Sequence, residues 1–260
     1  MIPLSSIPAS AQTDATAWHA CRFLTCSVLP VRVACNLRCP FCFSKSSLSA
    51  LHHDRGDWRR LDVAGYYRFA RERGASRLVI TGGGEPLLRP DEVVYLISLG
   101  RRYFDEVACF SNGTYLTTEL ARRLYDAGLS YLCFSRHAAG DEDNRRLMGA
   151  CAPRLADFVA AAGPLKVRAT CVMVRGFVES AAGVWEYIET LRPYGITEYT
   201  FKHTYIAYEG SLFRGSIEDN RRLMGAAPIL RWNWRAACTM PACLTSVTRG
   251  TLPATRTTAG

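Results

Sequence analysis

Eight residues constrain this chain more than any others: Cys35-Asn36-Leu37-Arg38-Cys39-Pro40-Phe41-Cys42. Gaps of three and two residues let successive sulfur atoms converge without straining the backbone, so three thiolates can wrap one face of a cubane cluster. A [4Fe–4S] cluster has four irons, and three cysteines leave one iron with an open coordination position. A structural zinc site closes its shell with a fourth Cys or His nearby. The next candidates, Cys26 and His52, sit at no common finger spacing. The apolar run Ser27 to Ala34 precedes the loop and reads as a strand that delivers the cysteines at its C-terminal end.

From there the chain alternates. A polar loop at 44–60 leads to a helix from Asp62 through Arg73, closed by Gly74. Further strands are expected at Arg77–Thr81, Val107–Phe110, Leu129–Ser135, Leu165–Val174 and Ile196–His203. Helical patterns fill the gaps at Pro90–Arg102, Thr117–Ala127 (stopped by Gly128), 141–162 and 180–192. Strand–helix units of roughly 25–35 residues argue for parallel strands with right-handed crossovers. Residues 1–26 read as an N-terminal extension, 27–225 as the core and 226–260 as an irregular tail without acidic residues.

The second strand runs straight into Gly82-Gly83-Gly84-Glu85-Pro86. Glycine lacks Cβ, so ligand atoms or another backbone can lie against such a loop. Together with the cysteine spacing, this loop resembles the signature of the radical S-adenosylmethionine (SAM) enzymes, and the resemblance covers roughly residues 27–205. It implies an α/β fold, specifically a partial (β/α)6 TIM-like barrel. It also implies that Cys35, Cys39 and Cys42 ligate a catalytic [4Fe–4S] cluster whose open iron is chelated by the amino and carboxylate groups of SAM.

Further contacts to SAM follow from the same resemblance. Phe41 would lie near the adenine. The backbone of Gly83, Gly84 and Glu85 would hold the amino group, with Gly82 leaving the register open by one. Ser111 and Asn112, ending the third strand, would face the same mouth, and Ser135 would meet the ribose or the methionine carboxylate. Arg168, set among apolar residues of the fifth strand, is expected to face inward and to meet either SAM's carboxylate or a salt-bridge partner in the barrel. Lys202 and His203 end the sixth strand within reach of a substrate, and His137 is a proton donor, a substrate contact or a structural residue.

The implied chemistry is reductive cleavage of SAM by an electron from a flavodoxin- or ferredoxin-type donor. The resulting 5′-deoxyadenosyl radical takes a hydrogen atom from a small-molecule or nucleotide-like substrate. One alternative is a maturase of ribosomally made peptides, which the lack of a recognisable peptide-binding segment or cysteine-rich auxiliary region disfavours. Another is a non-enzymatic iron–sulfur or zinc protein, in which the glycine loop would have no purpose. Cys238 and Cys243 in the tail read as a hydrogen-atom donor, the start of a second cluster site, or thiols without function.

Composition narrows the setting. Eleven cysteines in 260 residues are too sparse for a disulfide scaffold and suit a reducing cytoplasm. The net charge of +9 is spread over helical segments without an aromatic-interleaved basic stripe, so nucleic acid is not the expected partner. No signal peptide or membrane-length apolar run is visible, so no membrane association is expected.

Overall fold

The computed structural model describes residues 22–31, 34–42 and 60–203. Most of the expected N-terminal extension, the loop before Arg60, and the tail with Cys238 and Cys243 lie outside these residues. Six parallel strands form one sheet in chain order: β1 (Thr25–Val28), β2 (Arg77–Ile80), β3 (Glu106–Ser111), β4 (Tyr131–Ser135), β5 (Val167–Met173) and β6 (Glu198–His203). Parallel neighbours need long crossovers. Helices supply them: α1 (Val63–Glu72), α2 (Pro90–Gly100), α3 (Thr118–Asp126), α4 (Asp141–Met148), α5 (Leu155–Ala162) and α6 (Ala181–Leu191). Among the described residues the sheet's edges are β1 and β6, so it is open there, as a partial (β/α)6 barrel is.

Local chemistry sets the boundaries. The Asp62 carboxylate accepts the Gly65 N–H at 2.8 Å and starts α1, while Gly74 at φ 100° stops it. Thr117 caps α3 by accepting the Leu120 N–H at 3.1 Å. The first strand differs from expectation: it occupies Thr25–Val28 rather than residues 27–34. Pro30 has no N–H to give a ladder. Beyond Val28 the chain peels away, and its carbonyls serve the glycine loop instead.

Strand alternation then divides the side chains between two faces. Leu78, Ile80, Val107, Cys109, Leu132, Phe134, Ala169 and Cys171 pack beneath the helices in the main core. There Phe134 stacks on Phe158 with ring centroids 3.6 Å apart, and Tyr67 meets Phe104 edge-on at 5.3 Å. The opposite, inner face carries the small cluster Ala108, Tyr131 and Cys133 with Phe110 against it. Charged and hydroxyl side chains share that inner face. No helix among the described residues is long and apolar enough to cross a membrane.

Candidate active site

The cysteine loop hangs over the C-terminal end of β1 and is pinned from two sides. On one side, buried Leu37 packs with Met148 and Ala152 at the end of α4, Cys39 rests against that cluster, and the Arg38 N–H donates to the Met148 carbonyl at 2.9 Å. On the other, the Gly83 N–H donates to the Val31 carbonyl at 3.1 Å and the Glu85 N–H to the Ala34 carbonyl at 2.9 Å. This approach explains a glycine: a Cβ on Gly84 would lie 1.9 Å from the Ala34 carbonyl oxygen. Nothing but glycine fits there without moving a loop.

None of the three thiols is in a disulfide; Cys35 is exposed, and Cys39 and Cys42 are half-buried. The Cys42 N–H donates to the Cys39 carbonyl at 3.2 Å, turning the chain between these two ligands. The Leu37 N–H points at the Cys35 sulfur at 3.4 Å and the Asn112 side-chain amide at 3.8 Å. Donors aimed at sulfur suit a bound thiolate. Three thiolates from one short loop are a donor set that fits a cluster taking three protein ligands.

Glu85 ties this arrangement to β3. Its carboxylate is 3% exposed and accepts three donors: the Leu87 N–H at 3.0 Å, the Ser111 hydroxyl at 2.7 Å and the Asn112 N–H at 2.8 Å. Burial pushes its pKa up and the three donors pull it partly back. Its carbonyl accepts the Leu88 N–H as well. The Glu85 side chain is therefore a strut between the glycine loop and β3. Ser111 is buried, and its oxygen also accepts the Gly113 N–H at 2.9 Å. The carbonyls of Gly83 and Gly84 accept no hydrogen bond among the described residues and remain available.

Asn112 reaches the cysteine loop rather than standing apart, donating to the Asn36 side-chain oxygen at 3.0 Å. Phe41 is half-buried and meets the His137 ring edge-on at 4.7 Å. His137 is a structural residue. Its Nδ1 accepts the Val172 N–H at 2.9 Å, its own N–H donates to Asn144 at 2.9 Å, and burial pulls its pKa down to about 3. It is neutral near pH 7.

Arg168 lies on the inner face and meets a salt-bridge partner in the barrel, one of the two expected partners. It sits near the N-terminal end of β5, where its Nε donates to Glu198 Oε2 at 2.7 Å and its guanidinium covers the Tyr131 ring at 3.9 Å. The strand register pairs Arg168 with Glu198, so the cation is neutralised within the barrel. Ser135 ends β4, half-buried, beside Thr170.

Two residues that the sequence reading passed over complete the frame. Arg136 is 1% exposed, ion-paired with Asp141 at 3.0 Å, and gives its backbone N–H to the Thr170 carbonyl at 3.1 Å. Asn144 is fully buried and holds the His137 backbone. Their signal was faint: Asn144 is a polar residue at a helical position that faces a core, and Arg136 directly follows the end of β4.

Comparison with known proteins agrees with this geometry. Residues 29–205 match the Radical SAM superfamily, whose enzymes work with a [4Fe–4S] cluster and SAM and need an electron donor. The chain is 29% identical over 172 residues to a probable GTP 3′,8-cyclase of Saccharolobus solfataricus, covering 64% of this chain and 52% of that one. It is 35% identical over 96 residues to the GTP 3′,8-cyclase of Nautilia profundicola, covering 36% of this chain and 29% of that one. The chain thus spans about half the length of the first relative and less of the second. Among solved structures, Streptococcus suis SuiB bound to SAM (TM-score 0.55, 18% identity, 78% of this chain and 46% of that one) shares the fold. Methylornithine synthase PylB (TM-score 0.54, 15% identity, 80% and 64%) shares it too. With the three-thiol loop, the glycine clamp and the open six-stranded sheet in place, this chain belongs to the radical SAM superfamily and is an enzyme of the [4Fe–4S] cluster and SAM.

Proposed function

We propose that this enzyme removes a hydrogen atom from a small-molecule or nucleotide-like substrate held against the inner face of β4–β6. When bound, the cluster and SAM supply the 5′-deoxyadenosyl radical. Cys35, Cys39 and Cys42 hold the cluster. Carbonyls of Gly83 and Gly84 accept from the SAM amino group, Phe41 borders its adenine, and Asn112 and Ser135 line the route between cluster and sheet. Glu85 and Ser111 act one step back, keeping the glycine and cysteine loops in register. The observation that carries this reading is three thiols outside any disulfide, on one loop tied to a buried strut at the C-terminal end of a parallel sheet. Active sites of β/α barrels are built at that end.

The nucleotide-like class rests on the relatives, whose names state a reaction of GTP. The electron comes from a flavodoxin- or ferredoxin-type partner. A peptide substrate has less support, since the likeness to SuiB is one of fold. The test is anaerobic reconstitution of the cluster, reduction with dithionite, and assay of 5′-deoxyadenosine from SAM, with and without GTP and the other nucleoside triphosphates. Production that requires the cluster and rises with a nucleotide supports the proposal. A protein that holds zinc tightly and never cleaves SAM overturns it.

A further inference from the structure

The inner face of the barrel sorts its charges unevenly. Near the N-terminal ends of the strands every cation has a carboxylate. Arg77 pairs with Glu106 at 2.7 Å, Arg168 with Glu198 at 2.7 Å, and Lys166 also with Glu198. Two residues along β6 from Thr200 comes Lys202, at the end nearer the cysteine loop. It has no carboxylate partner among the described residues.

Its ammonium does not simply extend away from the edge strand. It leans from β6 across the sheet to β3, where its Nζ stands 5.1 Å from the centre of the Phe110 ring. On the way it crosses β4 and β5, and its charge is felt by buried His137 and by the Cys133 thiol. A cation over an aromatic face gains little where solvent reaches it. That does not neutralise the charge. An anion would.

A second observation lies one step down the same face. Alternation along β5 puts Thr170 on the side of Arg168 and Val172, opposite Ala169 and Cys171 of the core. Thr170 is 4% exposed, and its hydroxyl meets no partner among the described residues. Leaving a buried hydroxyl without a partner is costly, because it has lost water and gained nothing in return. The register sets Thr170 between Ser135 of β4 and Thr200 of β6, and sets Lys202 beside Val172. A row of three hydroxyls therefore runs beneath one unneutralised cation, with an aromatic ring at its side.

We propose that Lys202, with the Thr170 hydroxyl and the Phe110 ring, forms the subsite that holds an anionic group of the substrate, a phosphate or a carboxylate. The ammonium supplies the charge, Thr170 donates a hydrogen bond to an anion oxygen, and Phe110 keeps the lysine directed inward. This rests on the proposed function only in taking the inner face of β4–β6 as the substrate side.

The test is calorimetric titration of the reconstituted full-length protein at low ionic strength with pyrophosphate and, separately, citrate. At least one should bind wild type. Lys202→Met should weaken it about tenfold or more, as loss of a charge-assisted contact does, while Lys202→Arg keeps binding within about threefold. Thr170→Val should weaken it severalfold. Lys166→Met removes an equal charge from the same face and should change binding less than about twofold. A preference for pyrophosphate assigns a phosphate to the subsite and a preference for citrate a carboxylate; either supports it. Failure of both anions to bind, or equal weakening by Lys202→Met and Lys166→Met, overturns it. 5′-Deoxyadenosine measured on the same wild-type preparation keeps the two claims apart. Anion binding without SAM cleavage sinks the radical reading alone, and cleavage with no Lys202-dependent binding sinks the subsite alone.

Discussion

The two halves of the sheet's C-terminal edge use their polar groups in opposite ways. Beside β1–β3, Glu85 satisfies the Leu87 and Asn112 amides and the Ser111 hydroxyl, and Asn112 spans to Asn36 and Cys35. Those side chains are satisfied from within, and the thiols remain exposed or half-buried. Beside β4–β6, among the described residues, the Thr170 hydroxyl has no partner and Lys202 meets an aromatic ring rather than a carboxylate. A buried polar network that is fully satisfied rigidifies its surroundings. The first half is thus shaped in advance to hold a fixed cofactor, and the second keeps its bonding capacity for whatever arrives.

If that contrast is right, the first half should tolerate almost nothing. Cys39→Ala should remove bound iron and sulfide and all 5′-deoxyadenosine production, read by iron analysis and chromatography of the reaction. Gly84→Ala comes next. Its methyl group would overlap the Ala34 carbonyl, so the loops must part, and SAM cleavage should fall about 100-fold with the circular dichroism spectrum unchanged. Glu85→Gln probes the strut itself. Its amide N–H would face the Asn112 N–H, donor against donor, and urea unfolding should show a loss of about 1–3 kcal/mol.

His137, at the junction of the halves, sharpens the comparison through pH. Its pKa is about 3 when folded and near 6.5 in an unfolded chain, so between those values the unfolded state binds a proton that the native state does not. Stability from this group is complete above about pH 6.5 and declines as pH falls toward 3. Between pH 6.5 and 4.5, the unfolding free energy of wild type in urea titrations should fall more steeply than that of His137→Asn, by up to about 1.4 kcal/mol per pH unit. Parallel curves would mean that His137 is not held neutral. The smallest effect belongs to Lys166→Met. Its ion pair with Glu198 is largely solvated, and unfolding should shift by under about 1 kcal/mol.

Much of the fold was legible in the chain. Apolar runs of strand length alternating with capped helical periods located every strand within a few residues, because burial beneath a layer of helices imposes that pattern locally. The first strand was placed late, since the apolar run Leu29–Ala34 looks extended but gives its carbonyls to the glycine loop. The three cysteines and the glycine loop were readable because their spacing is itself the chemistry. The side-chain partners of Glu85 and Ser111 were not legible in the chain, Arg168 takes the salt bridge that was one of its two expected partners, and Asn144 and Arg136 gave no clear signal.

The physical reason is one of distance along the chain. Cysteine spacing, glycine at a close approach and strand–helix alternation are constraints between near neighbours, and the sequence by itself determined the family, the cluster-binding loop and the parallel α/β architecture. Which polar side chain is satisfied and which is left over depends on partners far away. Glu85 finds Ser111 across 26 residues, Arg168 finds Glu198 across 30, and Lys202 reaches Phe110 without meeting a carboxylate. Sheet register makes those pairs, and register is settled by packing the helices against one face. Only the tertiary structure could decide that Arg168 is neutralised while Lys202, four residues beyond its partner, is not.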